Sequence, residues 1–585
     1  MNPDKGAHMK KALIITGIVA AIAACGLVYY FVFAKNLKDQ VVLPFIAHQK
    51  PRIDPHVPSA VPLADKLDEV MFDGIFNVSA NPSGVTYEDG LGEFISIDEN
   101  SQVVIRLKPK KKWHSSYSVA IDKKKISVSE KEEISFTAKD LKFTLSRIQK
   151  LGSISPDYIL VSQAIPDFDF SGPDENGEVR LQFRGDRIWT EGDIKEVLSF
   201  KILPSDSELD ASFYSTGTGP YLQAGEVENT IHYIKSPDYN TFLSNVVLMP
   251  YIDNSTFTTE LKNKNINTLL STPFGAISPI LGDTGDYFYK SSISTCFFAL
   301  FYNVQKLSLE QRTALRSMID NKKVMRRFFR TGTEQQRHIA NYRGSGDNYE
   351  EYLNYSVFPT TSYYIEEEIV MPLKDKPEPD LSILPDTVRI QTCLNHDFRE
   401  ELADLVEIMN DPGLFGGKIK VNAVQNDEIR KGEYDAVLVA VSGYRSNFLF
   451  DMYNIFLRQP DFETYQINLR TAIDRKGKQI IDPQSFEAER NFFRIDLGED
   501  SPEKKRYHQL LDYIYGFMST HEIGDKQAYA REIDLLDQKL ALGSWLFSLP
   551  SLAYFSTQLD KKSIDLYGTA SQLSTIEKWQ ETKKK

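Results

Sequence analysis

Apolar and polar residues alternate along this chain on two periods, and the period of each run predicts its element. Near two-residue alternation, or a short apolar run bounded by turn residues, predicts strands at Val103 to Leu107, Val179 to Phe183, Thr230 to Ile234, Phe297 to Tyr302, Val388 to Thr392, Lys418 to Val424 and Ala436 to Val441. Recurrence every three or four positions predicts helices. Leu141, Leu145 and Ile148 form one stripe behind Thr137, a capping residue, with Asp140 in the first turn facing the positive end of the helix dipole. Ser308 and Gln311 fit a capping box ahead of Ala314, Leu315, Met318 and Ile319. From Asp397 to Asn410, Phe398, Leu402, Leu405, Val406 and Met409 share one face between two predicted strands, which is a βαβ pattern. The chain is therefore expected to be mixed α/β.

One run differs in kind. Ala12 to Ala34 carries no charge, and a helix over it, at ~1.5 Å per residue, would span roughly 34 Å, enough to cross a bilayer core. Lys10 and Lys11 precede it, so it reads as an export signal, with residues 1–11 as a leader. Three forms stay open: a retained transmembrane anchor, a cleaved signal peptide, and a lipoprotein signal in which Ile22-Ala23-Ala24-Cys25 is the lipobox and Cys25 the lipidated residue. The apolar run continues from Leu27 to Phe33, past that cysteine, which favours the anchor. All three put the bulk of the chain on the periplasmic or extracellular face of the membrane. Lys35 and Lys38 on the far side blur the positive-inside rule.

Composition narrows the classes. With 585 residues, 41% of them hydrophobic, there is ample material for large cores. Acidic side chains outnumber basic ones by 81 to 68, with no basic stripe, which argues against nucleic acid because phosphate binding needs clustered Lys and Arg. The cysteines Cys25, Cys296 and Cys393 have no zinc-site spacing. Cys296 and Cys393 are expected as buried free thiols, a disulfide being the alternative in an oxidising compartment. No catalytic signature, metal site or cofactor motif emerges. Gly217-Thr218-Gly219-Pro220-Tyr221 lacks a third glycine and a Lys-Ser/Thr ending, so it is no phosphate loop. Gly344-Ser345-Gly346 is no nucleophile elbow, and His521-Glu522 has no second His one turn on. Glu366 to Glu368 and Asp435 read as surface or turn residues, and Lys108 to Lys112 as a solvated strand end between buried Leu107 and Trp113. An enzyme is not expected.

Prolines cluster at 51–62 and 372–385, and Asp169 to Gly177 reads as a tight surface connection. The order of several segments resembles the peptide-binding branch, family 5, of the extracytoplasmic solute-binding proteins that serve ABC importers. Leu67 to Ile75 looks like that family's first helix with its Phe-Asp-Gly-Ile turn. Val103 to Leu107 followed by Trp113-His114, and then Phe136 to Leu141, are similar to its next strand and helix start. Gly217-Thr218-Gly219-Pro220-Tyr221 with Ser236-Pro237-Asp238-Tyr239 resembles its Gly-Thr-Gly-Pro-Tyr and Asn-Pro-Asp-Tyr pair. Leu300 to Asn303 and Leu315 to Lys322 resemble its strand ending in Asn and the helix after it.

The resemblance implies a periplasmic-binding-protein type II-like bilobal fold with an extra third domain. Residues 35–80, 215–275 and 490–585 would form lobe I, 81–214 its extra domain, and 276–489 lobe II. It implies a receptor that closes its lobes on a peptide or other small solute and delivers it to ABC permease subunits. Ser59 and Val61 fall where the family's ligand touches the first lobe. Ser442, Gly443, Tyr444 and Arg445 fall in its ligand-facing loop. There, Val441 replaces the family's tryptophan, and Tyr444 and Arg445 stand where an aspartate would pair with a peptide's ammonium group. Arg445 offers instead a planar fork for a carboxylate or phosphate. A second departure is a Lys- and Ser-rich insertion from Ser115 to Glu133. These departures motivate an alternative: a receptor fold without transport, serving as a structural or sensing subunit among envelope-complex proteins.

Overall fold

The computed structural model describes residues 39–57, 59, 61–81, 84–122, 125–152, 155–185, 189–270, 286–331, 352–360, 368–370, 378–394, 398–441, 455–456, 472–473, 479–480, 492–495, 501–520, 523–566 and 573–582. The run from Ala12 to Ala34, including Cys25, lies outside them. Among the described residues no helix is long and apolar enough to cross a membrane.

The described chain opens on β1 (Gln40–Ile46) and α1 (Pro62–Met71). Next come β2 (Phe76–Asn81), β3 (Gly84–Asp89), β4 (Gly92–Ile97), β5 (Gln102–Leu107), β6 (Tyr117–Asp122), β7 (Lys125–Glu130), α2 (Ala138–Leu151), α3 (Pro156–Ala164), β8 (Phe170–Ser171), β9 (Glu178–Gln182) and α4 (Glu191–Val197). The chain continues through β10 (Tyr221–Val227), β11 (Thr230–Lys235), β12 (Asn245–Tyr251), α5 (Phe257–Lys262), β13 (Thr268–Leu269) and the long β14 (Tyr287–Tyr302). After α6 (Leu309–Met318) and α7 (Asn321–Thr331) come β15 (Val388–Thr392), α8 (Arg399–Met409), β16 (Ile419–Ala423), α9 (Asn426–Arg430) and β17 (Ala436–Val441). A short ribbon pairs β18 (Ala472–Ile473) with β19 (Gln479–Ile480). The helices α10 (Pro502–Ser519) and α11 (Ile523–Leu540) precede the long β20 (Gly543–Ser556).

Three cores organise these elements. The first lies under a four-stranded sheet in the order β1-β12-β11-β10, in which β1 runs parallel to β12. Val41, Leu43, Val246 and Leu248 from the sheet meet Leu67, Val70 and Met71 of α1 and Trp579 near the C-terminus. The second, smaller core lies between the sheet β4-β5-β9-β8 and α2, α3 and α4. The stripe Leu141, Leu145 and Ile148 is buried there against Val103, Ile105, Val179 and Leu181. Both halves of the expected cap are present, since the Thr137 N–H donates to Asp140 at 2.8 Å. The third core flanks a six-stranded sheet in the order β13-β20-β14-β17-β15-β16.

In that sheet β15 pairs in parallel with both β16 and β17, and α8 joins β15 to β16, so the βαβ unit read from the pattern is present. Helices α10 and α11, within the 490–585 stretch expected in lobe I, share their apolar core with Phe297, Phe301 and Trp545 of this third body. Two buried arginines one turn apart on α6 hold the end of α11. Arg312 donates to the Leu540 carbonyl at 3.0 Å, and Arg316 to the carbonyls of Asp537 at 3.1 Å and Gly543 at 2.6 Å. Cations there match the unsatisfied carbonyls and the negative end of the helix dipole.

Two sequence readings need amendment. Asp435 is buried, not a surface residue, and accepts the backbone N–H of Arg389 at 2.7 Å, fixing the turn into β17. The basic run after β5 is not simply solvated, because Lys111 and Lys112 each reach a specific partner: Tyr239 at 2.7 Å and Glu130 at 2.7 Å. The insertion from Ser115 to Glu133 is ordered in its described part: β6 and β7 form a hairpin that packs Tyr117, Ile126 and Val128 onto Leu222 and Ile234. Cys296 and Cys393 are both buried and are not joined in a disulfide.

Candidate functional site at the crossing strands

β14 and β20 are long enough to belong to two cores at once. Phe288 of β14 and Ala553 and Phe555 of β20 lie in the first core, while Phe298, Leu300, Leu546 and Phe547 of the same strands lie in the third. Between these ends the antiparallel register breaks. Ile293 pairs with Pro550 and Phe297 with Ser548, so 294–296 on one strand face a single residue on the other. Pro550 contributes no N–H to the ladder, and strand prolines sit at such irregularities. A bulge bends the strand pair and locally disrupts its hydrogen-bond ladder. Thr360 closes on the same level, donating its hydroxyl to Ser548 Oγ at 2.9 Å.

Beside this break β17 reaches its C-terminal end. From β15 the chain moves outward to β16 and then returns across to β17, so the connections diverge at the C-terminal ends of β15 and β17. In open α/β sheets ligands bind at such a switch point. β17 ends at Val441, paired with Phe297 at the edge of the bulge. The residues Ser442, Gly443, Tyr444 and Arg445 follow Val441 in sequence and lie outside the described residues.

Of the two candidates on the first body, both sit at the entry to α1. Ser59 donates its N–H to Asp65 at 2.8 Å, and its hydroxyl accepts the N–H of Val61 at 3.0 Å. Pro62 follows in the first turn. These bonds set the α1 N-terminus, so the polar groups shown for Ser59 act locally as a helix-entry cap.

The residues that carried the resemblance meet elsewhere, in a joint between the first core and the small one. Gly219 donates its N–H to the Met71 carbonyl at 2.9 Å. A Cβ on Gly217 would stand 1.9 Å from that same oxygen, so only glycine fits. His114 receives the Gly217 N–H on Nδ1 at 3.2 Å and faces the Gly219 carbonyl with Nε2 at 2.9 Å. The neutral ring protonated on Nε2 satisfies both. Burial pushes the His114 pKa down to about 4, with the Gly219 carbonyl opposing. Tyr239 donates to Asp73 at 2.6 Å and lies under the Lys111 ammonium, 3.9 Å from the ring centroid. Burial, and then the Asp73 charge, push the Tyr239 phenol far above its ordinary value. Asn303 ends β14 by donating to the carbonyls of Gly432 at 3.2 Å and Tyr434 at 3.0 Å. These motifs are architectural and fix how the bodies join.

Sequence reasoning missed the crossing strands. The polar stretch Ser291 to Thr295 interrupts the apolar pattern, so only Phe297 to Tyr302 reads as strand. Pro550 within an otherwise apolar run was the available signal for the break.

Among the described residues no cluster of His, Cys, Asp and Glu forms a metal site. Neither a family model nor a curated protein matches this sequence. Solved structures do. NikZ from Campylobacter jejuni, in complex with Ni(L-His), superposes with a TM-score of 0.60 at 15% identity, covering 93% of this chain and 100% of that one. The ABC transporter substrate-binding protein CtaP from Listeria monocytogenes gives 0.62 at 13% identity, over 93% and 99%. The oligopeptide-binding protein AppA from Bacillus subtilis, in complex with a nonapeptide, gives 0.57 at 13%, over 93% and 99%. This chain has the fold of the bilobal solute-binding proteins. β14 and β20 each contribute residues to both the first and the third core of this fold.

Proposed function

We propose that this chain is an extracytoplasmic solute-binding receptor that closes two lobes on a peptide or peptide-like solute and passes it to an ABC permease. The observation that carries the reading is the paired crossing of β14 and β20, with its register broken at the level where β17 ends. A hinge beside the C-terminal edge of a switch-point sheet suits capture between lobes. The fold is shared with proteins whose solved complexes hold a nickel–histidine chelate and a nonapeptide. Ligand contacts are assigned to Ser59 and Val61 on one side and Ser442, Gly443, Tyr444 and Arg445 on the other. No covalent step is involved.

A thermal-shift screen tests this. A solute bound at a hundred times its dissociation constant adds about 2.7 kcal/mol to stability. An anionic peptide or metabolite is expected to raise Tm, and Arg445→Glu to abolish that shift while leaving the unliganded Tm unchanged. A screen of peptides, chelates and anionic metabolites without any shift would overturn the receptor reading. Membrane attachment through Ala12 to Ala34 belongs to the proposal as a retained anchor. A mature chain whose intact mass begins at Cys25 with added lipid would replace it with the lipoprotein form.

A further inference from the structure

The lobes are joined at a second place, far from the crossing strands in sequence. Helix α3, with the sequence Pro-Asp-Tyr-Ile-Leu-Val-Ser-Gln-Ala, is apolar on more than one side. Val161 and Ala164 are buried in the small core, while Leu160 is buried in the core of α10, α11 and Trp545. A helix buried on two faces is held between two bodies. Beside it, Lys526 of α11 meets Glu196 of α4, Nζ standing 3.3 and 3.4 Å from the two carboxylate oxygens. Both side chains are nearly sealed, at 3% and 2% exposure.

Each charge is badly placed for its own helix. Lys526 lies in the first turn of α11, at the positive end of the dipole, and Glu196 in the last turn of α4, at the negative end. Neither position gains from its local helix, so their mutual attraction across the boundary offsets part of that cost. The small core also moves with the first lobe. Arg147 of α2 binds Asp54 at 2.6 Å and His56 Nδ1 at 2.9 Å, Lys201 binds Glu69 at 2.8 Å, and His114 locks onto Gly217 and Gly219. Any turn at the crossing strands that parts the lobes must therefore pull α4 from α11.

We propose that Glu196 and Lys526, with Leu160 seated beside them, form a charge latch that holds the small domain of the first lobe against the helical hairpin of the second. An ion pair buried inside one core has no escape when a partner is lost, short of unfolding. Here the Lys526 ammonium regains water when the boundary opens, so removing the Glu196 carboxylate drives opening. Removing the ammonium as well leaves no stranded cation at the boundary.

Hydrogen exchange of the full-length protein in detergent, read by mass spectrometry, tests the latch independently of any solute. Glu196→Gln is expected to speed exchange at 156–164 and 523–530 by about a hundredfold, with β14 and β20 unchanged. Glu196→Gln combined with Lys526→Met, which removes the stranded ammonium, is expected to exchange there about tenfold more slowly than Glu196→Gln alone. The latch is overturned if Glu196→Gln exchanges like the parent, if the double variant opens as far as Glu196→Gln does, or if exchange rises uniformly through the chain. Failure here leaves the receptor reading intact, since that rests on the crossing strands and on ligand binding.

Discussion

Gly217→Ala is expected to destabilise the protein by about 3 kcal/mol, lowering its urea midpoint. The added methyl would fall 1.9 Å from the Met71 carbonyl oxygen, a backbone atom that cannot turn aside. Relieving the clash means moving the segment whose carbonyl receives the His114 N–H at 2.8 Å and whose N–H reaches His114 Nδ1. A buried imidazole without these partners is left unsatisfied. The same joint carries an acid sensitivity. An unfolded imidazole takes up its proton near 6.5 and folded His114 only near 4. The unfolded chain binds more protons in that window, so stability is fully present above it and is lost as pH falls through it. Gly185→Ala, with no atom within 4 Å of its added carbon, is the control and is expected to change stability little. A loss below about 1 kcal/mol for Gly217→Ala would show that the joint yields.

Two carboxylates one turn apart on α11 are expected to respond in opposite directions. Asp537 is buried and fully used. It receives Arg316 Nη2 at 2.8 Å and Trp545 Nε1 at 2.8 Å. Asp537→Ala strands a buried guanidinium and an indole N–H, for an expected loss of about 3–5 kcal/mol. Asp534 has no cation of its own in bonding range among the contacts described. It accepts the Ser356 hydroxyl at 2.8 Å and the Val357 N–H at 3.2 Å, and burial, with the Asp537 charge adding, raises its pKa to about 7. The folded chain then binds more protons than the unfolded one from about pH 4 to pH 7, and this group's contribution falls as pH rises through that window. At pH 8 Asp534→Asn is expected to be more stable than the parent, and at pH 4 nearly equal to it. Denaturation curves at the two values check this, and equal differences at both pH values would refute it.

Sequence alone reached elements whose causes are local. Thr137 with Asp140 and Ser308 with Gln311 cap their helices because the bonds close within three residues. Leu402, Leu405 and Met409 share a face because a helix repeats every 3.6 residues. The order of motifs from Leu67 to Lys322 also pointed to the fold, because each motif keeps its own short-range shape. For the site, sequence supplied Ser59 and Val61 and the loop from Ser442 to Arg445 as positions, and the register puts the last residue before that loop beside the break in the crossing strands.

Partnership is what the sequence did not contain. Alternation assigns a strand its faces and says nothing of its neighbour, so the pairing of β14 with β20 over some 250 residues, and of β1 with β12, became visible only in the fold. The meeting of Glu196 with Lys526 and of His114 with Gly217 belongs to the same class. Loop closure over such distances leaves no local trace in composition or period. Local chemistry thus determined the pieces of this fold, and long-range packing decided how its strands pair and which buried groups meet.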